Sequence, residues 1–187
     1  MHTLAVIGGS GLYDIEGLVD VSEHAVDTPY GKPSDTIVSG TLGDTRLLFL
    51  PRHGRGHRVA PHAINFRANV SAMKMLGATH LVTVSAVGSM KEAIAPGHLV
   101  VADQFIDLTK RRVSTYFDEG VVSHVSFADP VCAQLAAALA DAAGRTGATV
   151  HRGGTYVCIE GPAFSTRAES FLYRSWGVSV IGMTAMP

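Results

Sequence analysis

Residues 52–58, Arg-His-Gly-Arg-Gly-His-Arg, place three arginines and two histidines in seven positions with two glycines between them. Arginine presents a planar fork of donors that matches a phosphate or a carboxylate. Glycine lets the backbone turn tightly and lets a ligand come close. The segment follows an apolar run, residues 47–50, that reads as a buried strand, and Pro51, which has no N–H to give a ladder. A cationic loop at the C-terminal end of a strand is where an α/β sheet binds ligands. The chemistry expected here is anion binding. A solvated basic loop is the plainer alternative.

Three more strand ends carry donors. Residues 4–7 form a short apolar strand that opens into Gly8-Gly9-Ser10-Gly11. Such a turn exposes backbone N–H groups to a phosphate, and Ser10 adds a hydroxyl. A plain tight turn explains it equally well, because the dinucleotide pattern G-x-G-x-x-G fails where Asp14 replaces the third glycine. Residues 80–85 read as a second strand ending in Ser85-Ala86-Val87-Gly88. Residues 155–159 read as a third, opening into Glu160-Gly161-Pro162-Ala163-Phe164-Ser165. An aromatic and a hydroxyl at that opening can face a ring or simply pack. Serines in turns often satisfy only local backbone groups.

The rest of the sequence must position these ends. Residues 36–41 and 45–50, around Gly43-Asp44, read as a hairpin that delivers the cationic loop. Ala63, Phe66, Val70 and Met73 recur at helical spacing, so a helix is expected over about residues 61–76, ended by Gly77. Residues 98–106 read as one strand. Residues 107–125 are polar and irregular, a long surface loop of the kind that serves as a lid or a subunit contact. Asp129-Pro130 reads as a helix start, and Thr166-Arg167-Ala168-Glu169 as a capping box. Residues 178–181 form a last apolar strand, and the sequence finishes Gly182-Met183-Thr184-Ala185-Met186-Pro187. A buried strand of this kind needs covering by a following helix, so the chain is expected to lack its C-terminal part.

The chain has 187 residues, a net charge of −1 and 47% hydrophobic residues, which fits one domain with a sizeable core. A near-zero charge argues against a nucleic-acid partner. No apolar run has the length to cross a bilayer, and no charged leader precedes the first strand. Cys132 and Cys158 have no paired spacing and read as two free, buried thiols in a reducing compartment. The nine histidines show no metal-ligand spacing.

Taken in order, Gly8-Gly9-Ser10-Gly11-Leu12, Pro51-Arg52-His53-Gly54, Ser85-Ala86-Val87-Gly88, Glu160-Gly161-Pro162 with Phe164-Ser165 and Arg167-Ala168-Glu169, and Gly182-Met183-Thr184 closely resemble the purine nucleoside phosphorylase/methylthioadenosine phosphorylase family. The resemblance covers essentially the whole chain. It implies an α/β fold, a single three-layer domain over residues 1–187 with a mixed central sheet flanked by helices, assembled as a cytoplasmic homotrimer. It implies cleavage of a purine nucleoside by orthophosphate, as co-substrate, with no metal and no other cofactor. Carried over position by position, it assigns phosphate contacts to Ser10, Arg52, His53, Ser85, the backbone of Ala86, and Thr184. Met183 is assigned to the ribose, Phe164 to base and sugar, Ser165 to base selection, and His124 to a neighbouring subunit's sugar pocket. Gly182 stands where asparagine is common. The family's aspartate-bearing loop, which recognises the base, comes after residue 187, and the group that serves the leaving purine is expected there too.

The resemblance favours a 5′-methylthio purine nucleoside. The 160–169 segment looks like the methylthioadenosine branch, whereas residues 182–187 look more like members that take 6-oxopurines, including methylthioinosine. Two other classes stay open. A nucleotide-binding oxidoreductase accounts for the first glycine turn alone, and a non-catalytic phosphate- or nucleoside-binding module accounts for an incomplete site.

Overall fold

Strands that read as continuous apolar runs are buried on both faces, and two such strands organise two sheets. The computed structural model describes residues 2–9 and 15–187. The chain divides into two compact units, Met1–Ser85 with Arg112–Tyr116, and Ala86–Arg111 with Phe117–Pro187.

The first unit holds β1 (Thr3–Gly8), β2 (Val19–His24), β3 (Ile37–Leu42), β4 (Thr45–Pro51) and β5 (His80–Thr83) in the order β2-β3-β4-β1-β5. β1 runs parallel to β4 and β5, and β3 pairs antiparallel with β2 and β4. Leu48 and Leu50 join Ala5, Ile7 and Ile37 on one face, which α1 (Phe66–Met75) covers with Ala72 and Met73. Leu47 and Phe49 join Val38 on the other face. This two-sided burial is why β4 reads as an unbroken apolar run. The helix expected over residues 61–76 is interrupted. Pro61–Ala63 make a 3-10 turn, and Asn65 then caps α1 by accepting from Ala68 N at 3.1 Å while donating to Tyr30 O at 2.7 Å. The segment Arg112–Tyr116 completes this unit: Tyr116 donates to Arg67 O at 2.9 Å and packs edge-on against Tyr30, and Arg112 lies over Phe66.

The second unit is a sheet in the order β6-β11-β10-β8, from β6 (Gly88–Ser89), β8 (Gln104–Asp107), β10 (Thr155–Cys158) and β11 (Val180–Gly182), with a separate parallel pair, β7 (Leu99–Val101) and β9 (Val150–Arg152). β10 is parallel to β8 and β11, and β6 is antiparallel to β11. Val157 and Ile159 pack on one face with Tyr173 of α3 (Arg167–Ser175), and Tyr156 and Cys158 on the other with Ile94 and Val180. The strand expected over 98–106 is two strands in different sheets. Asp103 separates them, its carboxylate taking Gly154 N at 2.9 Å. The helix expected from Asp129 begins instead as α2 (Ala133–Arg145). The backbone is still extended at Cys132, with ψ at 107°, so the Asp129 carboxylate comes three residues too early to cap it. Cys132 is exposed, not buried as its type implied, whereas Cys158 is buried. The capping box at Thr166 and Glu169 forms as its spacing requires. No helix among the described residues is long and apolar enough to cross a membrane.

Candidate functional site

In the first unit three adjacent parallel strands end together. Gly8 of β1 lies opposite Pro51 of β4, and Ile7 lies opposite Thr83 of β5. Arg52 N then donates to Gly8 O at 2.9 Å and Val84 N to Ile7 O at 3.0 Å. Arg52 is thereby fixed at the carboxyl edge of the sheet, only 4% exposed, and its guanidinium donates to Val84 O at 3.2 Å, one residue before Ser85. A guanidinium this buried must be held by fixed acceptors or an anion. Ser10, the remaining candidate on this edge, lies outside the described residues.

The loop after Arg52 is tightly wound. Gly54 N donates to Pro51 O, His57 N to Gly54 O, and Val59 N to His53 O. Gly54 has φ at +69°, and a Cβ there would come within 3.2 Å of Ser34 O, so both conformation and space demand glycine. His53 is buried, stacks on His57 with ring centroids 4.1 Å apart, and donates from Nδ1 to Val59 O at 2.8 Å. Burial lowers the basicity of its imidazole. The Val59 carbonyl opposes that, but the charges of His57 and Arg52 reinforce it, so the ring stays below the ordinary histidine value. With Nδ1 carrying the proton, the neutral ring keeps a lone pair at Nε2.

Asp35 fastens this loop to the body of the first unit and has no motif that marks it in the sequence. Its carboxylate accepts from Arg55 N at 2.6 Å, Thr36 N at 2.8 Å and the Arg58 guanidinium at 3.5 Å. Asn69 of α1, itself buried, accepts from Ser34 N at 2.8 Å and so fixes the adjacent backbone. Burial works to raise the Asp35 carboxyl, but those two N–H groups and the charges of Arg55 and Arg58 outweigh it and hold the group below the ordinary carboxylate range. Hydrogen bonds to a charged partner contribute about 1.5–3 kcal/mol. Asp35→Asn is therefore expected to destabilise the protein by roughly that amount at neutral pH. A depressed carboxyl contributes stability that is full above its unfolded pKa and lost as pH falls through its folded one. The gap between variant and wild type in urea unfolding thus closes as the pH is taken below the ordinary carboxylate range. A gap that persists there removes Asp35 from this role.

The second unit repeats the arrangement. β10 and β11 run parallel with Cys158 opposite Gly182, and Ile159 N donates to Gly182 O at 2.9 Å. Beyond these ends lie Glu160 on one strand and Met183-Thr184 on the other. Thr184 is 9% exposed, with its N–H directed to the Tyr156 hydroxyl at 3.5 Å, and Met183 packs against the Val157 cluster. Glu160 accepts from the backbone N–H groups of Lys110 and Arg111, at 2.7 and 3.0 Å, and fixes the start of the long loop. Phe164 is 88% exposed, a large apolar ring presented to solvent. Ser165 shares a 2.8 Å hydrogen bond with Ser170 of α3. His124 and Ala86 are exposed.

Comparison with known proteins follows the same lines. The sequence profile of the phosphorylase superfamily matches residues 3–187. An S-methyl-5′-thioadenosine phosphorylase of Geobacter sulfurreducens is 63% identical over 187 residues, covering 100% of this chain and 65% of that protein. One of Hyperthermus butylicus is 56% identical over 185 residues, covering 98% of this chain and 68% of that protein. The crystal structure of a methylthioadenosine phosphorylase from an antarctic soil metagenomic library superposes with a TM-score of 0.97 at 49% identity, covering 100% of this chain and 66% of that one. The chain thus spans about two thirds of the length of the relatives it matches. The mixed sheets with flanking helices are those of this fold. With its profile matched from β1 to the last residue, the chain belongs to the phosphorylase superfamily.

Proposed function

We propose that the protein catalyses the phosphorolysis of a purine 5′-methylthionucleoside, S-methyl-5′-thioadenosine, to the free purine and 5-methylthioribose 1-phosphate. The observation that carries this reading is Arg52, a buried guanidinium fixed at the shared end of three parallel strands. The named activity of relatives up to 63% identical supports the choice of nucleoside.

On this reading orthophosphate is held by Ser10, Arg52, His53 and Ser85, by the backbone of Ala86, and by Thr184. A phosphate oxygen forms a bond to C1′ as the C1′–N9 bond breaks. The bonding pair leaves with the purine, which takes up a proton, and positive charge builds on the sugar ring. The nucleophile is already anionic, so it needs fixed donors more than it needs a base, and preorganisation of this kind lowers a barrier by several kcal/mol. Neutral His53 offers Nε2 to a protonated phosphate oxygen, since its Nδ1–H is committed to Val59. Met183 lies under the ribose, Phe164 borders base and sugar, and Ser165 contributes to base selection. No metal or organic cofactor takes part.

On the same reading residues 1–187 belong to a single phosphorylase domain, assembled as a cytoplasmic homotrimer in which His124 reaches a neighbour's sugar pocket. Apolar side chains in the second unit support association: Val121, Val122, Val125 and Phe127 are each more than half exposed. A mass of one chain in light scattering at micromolar concentration removes the trimer. The activity itself is tested by adding methylthioadenosine to the purified full chain with and without orthophosphate. Adenine is expected only with phosphate present. Release without phosphate, or none in either case, overturns phosphorolysis.

A further inference from the structure

We infer that Tyr156 is the residue that positions Thr184, and that glycine at 182 is the condition for its doing so. The inference rests on the reading above, in which Thr184 contacts phosphate, and it says what holds Thr184 in place.

Tyr156 lies in β10 directly opposite Val180, two positions before Cys158, which faces Gly182 at the end of β11, and it is 5% exposed. Its ring is wedged among Ile94, Val180 and Phe105, with its centroid 5.9 Å from that of Phe105. From there it leans along the strand direction and crosses the Cα of Gly182. A Cβ built on Gly182 would lie 3.3 Å from Tyr156 Cε2, 2.6 Å from Cζ and closer still to the hydroxyl. Real Cβ atoms do not approach carbon so closely, and a ring packed on its other sides has nowhere to go. The tyrosine therefore occupies the volume that a side chain at 182 would need. Its hydroxyl arrives at the N–H of Thr184, two residues further on, and accepts from it at 3.5 Å.

The end of β11 is thus held from two directions. Gly182 O accepts from Ile159 N at 2.9 Å, and Thr184 N points to Tyr156. Between them the backbone of Met183 has little freedom, and the direction of the Thr184 side chain follows. Any side chain at position 182 is excluded here for a steric reason, and a polar group reaches this strand end from the neighbouring strand. Tyr156 and Gly182 act as a pair: either one changed alone disturbs Thr184, whereas suitable changes to both can preserve it.

The test uses the full chain and compares wild type, Tyr156→Phe, Gly182→Ala and the double variant Gly182→Ala/Tyr156→Leu. Leucine ends short of the ring atoms that a Cβ at 182 meets. Steady-state kinetics are read against phosphate and against nucleoside separately. Tyr156→Phe keeps the ring and loses the acceptor. It is expected to raise the phosphate KM about fivefold, as for one neutral hydrogen bond, and to leave the nucleoside KM within about twofold. Gly182→Ala is expected to raise the phosphate KM by a factor on the order of 100, from a displaced strand end, and the double variant to recover at least about tenfold of that loss. A phosphate KM unmoved in Tyr156→Phe, or a double variant that loses as much as Gly182→Ala alone, overturns the inference. If Gly182→Ala does not fold, recovery of folding in the double variant supports the pair, and a double variant that also stays unfolded opposes it. A wild type whose turnover does not depend on phosphate overturns the phosphorolysis reading and this inference together. Phosphate dependence in wild type with an unmoved Tyr156→Phe overturns this inference alone.

Discussion

Arg52→Ala is expected to raise the phosphate KM or lower kcat by a factor on the order of 100, the loss that follows when a charge-assisted, two-pronged contact is removed. The size of the effect comes from placement as much as charge. Arg52 is buried, its backbone continues the pairing with β1 through Gly8, and its guanidinium is already tethered to Val84. Little side-chain freedom remains to be lost when an anion binds, so most of the interaction is available to the reaction. Lysine is not expected to rescue it, because an ammonium is a point charge without the planar fork that makes a two-pronged contact to phosphate. Alanine also strips the Val84 carbonyl of a donor, so some stability is lost as well. The nucleoside KM and the melting temperature separate the two effects. Phosphate kinetics that stay unchanged in a folded Arg52→Ala protein remove Arg52 from the site.

The larger expected effect concerns the substrate. Ranked by kcat/KM, methylthioadenosine is expected first, methylthioinosine second and inosine third, with a discrimination of up to about 10⁴ wherever a buried polar pattern is mismatched. The 6-amino group of adenine donates. The 6-oxo group accepts and leaves N1–H as a donor, so a site built for one pattern leaves groups unpaired with the other. The 5′ end supplies a second filter. If Phe164 and Met183 line the sugar as proposed, its 5′ end meets soft apolar side chains, where a thioether loses less than a hydrated hydroxyl. Inosine in first place overturns the argument about the 5′ end. Methylthioinosine in first place overturns only the choice of base.

What the sequence made legible depended on whether a residue's surroundings could be read from its neighbours in the chain. The run at 47–50 announced β4 because both its faces are buried, and the capping box announced the start of α3 because it closes within four residues. β2 is not marked in the sequence because only Val19 and Val21 are apolar in Val-Asp-Val-Ser-Glu-His, and both are exposed. It is a strand because β3 pairs with it, across a bulge near Asp20, where φ is +53°. β9 was missed for its length of three residues, and the break at Asp103 because it depends on Gly154, 51 positions away. The site divides in the same way. Arg52 and His53 are conspicuous by type. Asp35 and Tyr156 are ordinary residues whose importance is set by what the fold brings against them, Arg55 in one case and Gly182 in the other.

The segment Arg112–Tyr116 packs with the first unit, yet residues 86–111, which belong to the second, precede it. The consequence appears during synthesis. When residue 85 leaves the ribosome, β1 can already find β4 and β5, but Tyr30, Phe66 and Arg67 still lack Tyr116 and Arg112. At ~5–20 residues per second, the missing segment follows a few seconds later. The N-terminal unit therefore waits, with an aromatic patch uncovered, until the nascent chain has begun the next one. The two units are interleaved in translation: part of the second is made before the first is complete.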